Sequence, residues 1–129
     1  MLISSPQAMH DYGKSLVQET KILLLHGGLG AGKTTLIKGF AEWLGINPDQ
    51  VQSPTYTYIN IYDNKLLHID LYRLSSFSEL VEKGILNQIA EFDWIAIERP
   101  KWEDQLDLPS PLALEISKIS ASQREIKKL

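Results

Sequence analysis

The stretch Ile22-Leu23-Leu24-Leu25-His26-Gly27-Gly28-Leu29-Gly30-Ala31-Gly32-Lys33-Thr34-Thr35 decides how this chain folds. Its first four residues form a continuous apolar run, the pattern of a strand buried on both faces of a sheet. From Gly27 onward the spacing is Gly, four residues, Gly, Lys, Thr, which is that of a phosphate-binding P-loop. A triphosphate concentrates negative charge and has to be approached closely. Glycines let successive backbone N–H groups point inward as an anion cradle, and the helix that follows aims its positive end at the same place. Lys33 supplies a point charge for the β and γ phosphates, and the Thr34 hydroxyl is a ligand for Mg²⁺. Gly28, Leu29, Gly30, Ala31, Gly32, Lys33, Thr34 and Thr35 are therefore the expected nucleotide contacts. His26, just before the loop, fits packing or hydrogen bonding better than catalysis.

The flanks supply the context such a loop needs. Leu36, Ile37, Phe40 and Leu44 recur at helical spacing after Lys33, and Gly45 stops that helix. Upstream, Ser5-Pro6 reads as an N-cap and first helical residue for an amphipathic helix over 6–19. Downstream, Asn47-Pro48-Asp49 is turn chemistry. Thr55 to Tyr62 reads as a strand, Asp63-Asn64 as a tight turn, and Leu66 to Asp70 as the returning strand of a hairpin. Ser76-Phe77-Ser78-Glu79 has capping-box spacing and opens a short helix ended by Gly84, with another helical turn or two over 85–92. Trp94 to Glu98 is an apolar strand closed by an acid. Leu112 to Ile116 alternates as a strand, and Gln123 to Leu129 reads as a polar, charged tail. The order implies one α/β domain over residues 1–129: a P-loop NTPase with a mixed, mostly parallel sheet, an inserted β-hairpin and flanking helices.

Two acids stand where apolar strands stop, Asp70 and Glu98. In open α/β sheets ligands gather at the carboxyl ends of the strands. With both strands parallel to the first, one carboxylate would serve the metal beside Thr34 and the other would orient an attacking water, in either assignment. Ser53-Pro54-Thr55-Tyr56-Thr57 lies where P-loop switch elements often sit, and Thr55 is either a γ-phosphate sensor or part of an ordinary entry into the strand. For Arg73 the spacing favours a surface ion pair. Tyr56, Tyr58 and Tyr62 lack interleaved basic residues, which favours a sheet face or a protein contact over base stacking.

Composition narrows the rest. With 129 residues, 43 % apolar and 22 % charged, there is room for one well-buried core. The absence of cysteine excludes disulfides and thiolate metal sites. No apolar run approaches a membrane span and no secretory leader is visible, so a cytoplasmic location without membrane contact is expected. A net charge of −3 argues against direct capture of nucleic acid.

Taken together, the loop Gly27–Thr35, Ser53-Pro54-Thr55-Tyr56-Thr57, His68-Ile69-Asp70-Leu71-Tyr72-Arg73-Leu74 and Ile97-Glu98 resemble the TsaE (YjeE) family over roughly residues 5–125. That family comprises small bacterial P-loop ATPases needed for threonylcarbamoyl modification of the tRNA adenosine next to the anticodon. The resemblance implies ATP and Mg²⁺ as ligands, with Lys33, Thr34, Asp70, Glu98 and Thr55 as working residues. It also implies weak ATPase activity and two protein partners of the sugar-kinase/Hsp70-like fold, whose complex hydrolysis resets, so that tRNA is met only indirectly. Gln123-Arg124-Glu125 resembles the family's Gly-Arg-Glu, which makes Arg124 a nucleotide contact. The chain departs from the pattern at Gly28, where an acid is usual, at Arg99, where a Trp commonly follows the Glu, and at Lys101, in place of an acid. Two other readings of the loop remain open: a small-molecule kinase, against which the single basic residue between Leu74 and Asp93 (Lys83) counts, and a nucleotide sensor that does not hydrolyse.

Overall fold

The computed structural model describes residues 1–129. Strand β1 (Leu2–Ile3) is followed by α1 (Pro6–Ser15), whose Ser5 hydroxyl accepts the Ala8 N–H at 3.0 Å with Pro6 as the first helical residue. The expected helix over 6–19 tightens at its end into a 3₁₀ turn over Leu16–Gln18. Then come β2 (Ile22–His26), α2 (Lys33–Trp43), β3 (Ile59–Tyr62), β4 (Leu66–Asp70), α3 (Phe77–Glu82) and α4 (Ile85–Glu91). The chain continues through β5 (Trp94–Glu98), α5 (Glu103–Leu106), β6 (Leu112–Lys118) and β7 (Arg124–Lys128).

The seven strands lie in the order β1-β7-β6-β2-β5-β4-β3. The middle of the sheet, β6-β2-β5-β4, is parallel, and the strands outside it pair antiparallel. This is the mixed sheet read from the sequence, with β3 and β4 as the inserted hairpin. Asp63 and Asn64 both take positive φ at its tip, the conformation tight hairpin turns demand.

The sheet is buried on both faces because its central strands carry apolar residues at successive positions, pointing to either side. Leu23, Leu25, Ala96, Leu66 and Leu114 face one way, into a core completed by Met9, Leu16, Leu36, Ile37 and Phe40 of the α1–α2 layer. Ile22, Leu24, Leu67, Ile69, Ile95 and Ile97 face the other, beneath Leu80, Ile85 and Ile89 of α3 and α4. Helices α1 and α2 touch backbone to backbone. A Cβ on Gly13 would lie 1.9 Å from the Leu36 carbonyl oxygen, and one on Gly39 1.9 Å from that of His10. No helix is long and apolar enough to cross a membrane.

Two local expectations fail, and one element carries no sequence signal that was read. The strand expected over Thr55–Tyr62 begins only at Ile59. Residues 54–58 are instead a turn closed by the Tyr58 N–H on the Pro54 carbonyl at 2.7 Å, with Tyr58 at φ 66°. Thr/Tyr propensity is a weak, context-dependent signal, and Pro54 starts a turn. The expected tail is strand β7. Its Ile126 is buried while Glu125 and Lys127 alternate outward, and β1 covers its far edge. Helix α5, unread in the sequence, is a single turn between Trp102 and Asp107, both at positive φ.

Candidate active site

The phosphate loop runs from the end of β2 into α2 with Gly27, Gly30 and Gly32 at φ 149°, 77° and 104°. Gly27 is also required by space, since a Cβ there would come within 2.5 Å of the Ile116 carbonyl oxygen. At Gly28 a Cβ would meet nothing, so the acid common at that position in the TsaE family would fit without strain. No side chain caps α2, which leaves the N–H groups of its first turn directed at the loop. Leu29 projects outward, and Ala31 is buried behind the loop.

Lys33 lies at the start of α2 and is 5 % exposed. Its Nζ donates to the Gly27 and Gly28 carbonyls at 2.6 and 2.7 Å, bending the side chain over the cradle. Burial holds its pKa below the ordinary lysine value, opposed by the charge of Glu98, reinforced by that of Arg99 and opposed again by Asp70. These four charged groups therefore share one electrostatic neighbourhood.

Both strand-end acids arrive beside the loop. Strand β2 pairs with β5 so that Leu25 opposes Glu98, and β5 pairs with β4 so that Glu98 opposes Asp70. Side chains alternate along a strand, so His68 and Asp70 on β4 and Ala96 and Glu98 on β5 share the face covered by α1 and α2. The side chains of Asp70 and Glu98 are 0 % and 3 % exposed, so each depends on a partner. Glu98 Oε2 meets His68 Nε2 at 2.6 Å, and His68 Nδ1 meets the Tyr62 hydroxyl at 2.9 Å. The Tyr62 hydroxyl in turn donates to the Gln52 carbonyl at 3.0 Å. Both oxygens of Asp70 are in use: Oδ1 accepts the Tyr72 N–H at 2.9 Å, and Oδ2 accepts the Thr55 hydroxyl at 3.1 Å and an Arg99 guanidinium N–H, which leaves one lone pair on Oδ1.

The sequence-derived site residues thus converge on one end of the sheet. Thr55 reaches it through its turn, and Arg124, on β7, reaches it from the opposite side. Arg124 Nε and Nη2 donate to the Gly30 carbonyl at 3.2 and 3.0 Å. A shallow pocket beside Gly32 and Thr35 is lined by Ile3, Met9, Ser122 and Arg124. Sequence reasoning missed His68 and Tyr62 as supports of Glu98, and Arg99 as the partner of Asp70. The alternation of His68 with Asp70 was a usable signal for the first; nothing local pairs Arg99 with a residue on β4. Arg73 makes no ion pair and lies over the exposed Tyr56 ring at 5.0 Å, and His26 meets Glu103 at 3.2 Å, tying α5 to β2.

For Mg²⁺ the donors are of the right kind. The Thr34 hydroxyl and the carboxylates of Glu98 and Asp70 are hard oxygen ligands, and no cluster of three or more acids or histidines forms a cage. Mg²⁺ sites typically combine one or two carboxylates with substrate phosphate and water. Glu98 Oε1 accepts no hydrogen bond from the protein, so it is free to ligate.

A loop joining a buried strand to an uncapped helix, with acids ending the next two parallel strands on one side of it, defines a P-loop protein of the nucleotide-binding class. Residues 3–126 match the family described as "Threonylcarbamoyl adenosine biosynthesis protein TsaE", and the chain belongs to the TsaE family. It is 39 % identical over 118 residues to the tRNA threonylcarbamoyladenosine biosynthesis protein TsaE of Aquifex aeolicus, covering 87 % of this chain and 79 % of that one. It is 46 % identical over 104 residues to the protein of the same name from Borreliella burgdorferi, covering 75 % and 74 %. The crystal structure of Bacillus subtilis YdiB superimposes with a TM-score of 0.64 at 26 % identity, over 99 % of this chain and 82 % of that one.

Proposed function

We propose that this protein binds and hydrolyses ATP with Mg²⁺ as a component of the tRNA threonylcarbamoyladenosine modification system. The observation that carries the reading is the register placing Asp70 opposite Glu98, beside the loop that holds Lys33. Hydrolysis requires a bond from water oxygen to the γ-phosphorus as the bond to the β–γ bridging oxygen breaks, so charge must be held on both sides of the transferring group. The loop N–H groups and Lys33 hold the leaving diphosphate; Lys33 exchanges the Gly27 and Gly28 carbonyls for phosphate oxygens. Thr34 and Glu98 would hold Mg²⁺, which when bound neutralises charge shared by the β and γ phosphates. Asp70, with a lone pair left after its three hydrogen bonds, orients the attacking water, and Thr55 faces the same space from its turn. Arg124 and the pocket beside Thr35 receive the nucleoside side of the ligand.

Between Leu74 and Asp93, where a kinase lid would supply several basic residues, there is only Lys83, which fits an ATPase whose product is a change of state in partner proteins. The partners are two proteins of the sugar-kinase/Hsp70-like fold, with tRNA met through them, in the cytoplasm. Phosphate release from ATP, measured with and without both partners and tRNA, tests this. Stimulation by the partners is expected. Binding without release in every mixture would make the chain a sensor, and transfer to an added metabolite would make it a kinase.

A further inference from the structure

Arg99 is anchored from several directions. Its backbone adopts φ 50°, a left-handed conformation that non-glycine residues rarely take. Its N–H bonds the Leu25 carbonyl at 2.8 Å, so the residue is fixed to the strand that leads into the phosphate loop. The side chain, 13 % exposed, crosses to β4 and lies over the Tyr72 ring at 4.3 Å. There one nitrogen, Nη2, serves both Asp70 and the Thr55 hydroxyl, the latter at 3.1 Å. Thr55 is thus held by Arg99 and Asp70 together, and it also meets Ser53 Oγ at 2.8 Å.

A buried donor of the same guanidinium is left unmet. Arg99 Nε is buried without a hydrogen-bond partner, the only buried side-chain nitrogen or oxygen in the chain so placed. An unmet buried donor is costly and calls for an acceptor. Neither nearby acid meets it: Asp70 takes the Nη2 donor of Arg99, and Glu98 bonds His68 through Oε2 and makes no hydrogen bond to Arg99. Because Nε and Nη2 are separate donors of one rigid fork, an oxygen can bind Nε while Nη2 keeps Asp70 and Thr55. The charge of Arg99 reaches Lys33, the residue that meets the outer phosphates, so an anion seated between the two cations is attracted by both.

We propose that Arg99 is a positioning residue that makes the turn over residues 54–58 responsive to the third phosphate. A γ-phosphate oxygen on Nε stiffens the guanidinium, and Nη2 passes that order to Thr55. A diphosphate ends short of Nε and leaves the turn as it is. The inference rests on the reading of the site as an ATP site and adds which state of the nucleotide the turn distinguishes.

Amide hydrogen exchange of the full chain with Mg²⁺ and either ADP or the β,γ-imido analogue of ATP, alongside binding constants for both, provides the test. In the wild type the analogue is expected to slow exchange over residues 54–58 about tenfold more than ADP does. In Arg99→Gln that difference vanishes, affinity for the analogue falls ~10–100-fold, the range of one charge-assisted hydrogen bond, and affinity for ADP stays within about twofold. Arg99→Lys, with charge but no fork, is expected to recover analogue affinity in part and not the protection. Thr55→Val probes the same link from the turn and removes the protection difference while Arg99 stays in place. Retention of the difference in Arg99→Gln or in Thr55→Val, or an equal fall in affinity for both nucleotides, overturns the proposal. A wild type that binds both nucleotides without differential protection overturns it alone; a wild type that binds neither overturns the ATP-site reading beneath it.

Discussion

Asp70 and Glu98 face each other across the β4–β5 ladder, yet each takes its main partner from the other's side. Glu98, ending β5, is held by His68 of β4; Asp70, ending β4, is held by Arg99 just past β5. The partners differ in kind. An imidazole can lose its carboxylate without stranding a fixed charge, whereas a guanidinium is charged at any accessible pH. Glu98 also keeps one oxygen free, while both oxygens of Asp70 are used. The lesson is that two acids at matching strand ends differ in how much of their charge is already spent. Glu98 is poised to accept a ligand, and Asp70 is built into a clamp.

The largest effect that tests this asymmetry is on stability. Asp70→Ala leaves the Arg99 guanidinium buried without a counter-charge, and urea unfolding is expected to show a loss of about 3–5 kcal/mol. Glu98→Ala leaves His68 with an unmet hydrogen bond, and the loss is expected to be about 1–3 kcal/mol. Equal losses would break the comparison. A steric lesion remote from both acids sharpens it. Gly39→Ala forces α1 away from α2 and is expected to cost about 1–3 kcal/mol. In the double variant with Asp70→Ala the two losses should add, because the sites share no partner.

A smaller effect concerns pH. Since burial holds Lys33 below the ordinary lysine value, the unfolded chain binds more protons than the folded one between the two values. Stability should therefore rise with pH across that alkaline window. Lys33→Met should lack that rise, unfold at or above the wild-type temperature at neutral pH and lose nucleotide binding; thermal melts in alkaline buffers and calorimetric titration would check the three parts. The smallest effect is at the exposed Glu42, which is held below the usual carboxylate range by hydrogen bonds from His10 and then Lys14. Its contribution is present at neutral pH and lost as pH falls through the lowered value. Glu42→Gln should thus shift the melting temperature slightly at neutral pH and not at all in strong acid.

How legible each part was follows from where its signal resides. The phosphate loop could be read because its geometry is imposed residue by residue, through glycines at positive φ and a helix beginning at Lys33. The acids could be read because strand ends are marked by a change from apolar to charged side chains. Their partners could not. Arg99 and Asp70 lie 29 residues apart, and only the parallel pairing of β4 with β5 brings them together. Strand β7 escaped notice because a strand at the margin of the sheet buries a single large apolar residue, Ile126, and its other residues read as polar tail. The turn over 54–58 was masked by residues that favour strands, although their hydroxyls serve the site and the hairpin base.

The glycines at 13 and 39 carry a mechanical consequence. With no side chain between their backbones, α1 and α2 have neither slack nor lubricant, and they behave as a single strut. Lys33 and Thr34 sit at the end of that strut, so the proposed grip on phosphate would not loosen by sliding one helix along the other. Residues 51–58 and 99–111, on the acid side, lie outside that strut, and a movement coupled to the proposed hydrolysis would fall to them. The joined helices are the anvil of this fold, and the acid side hangs beside it.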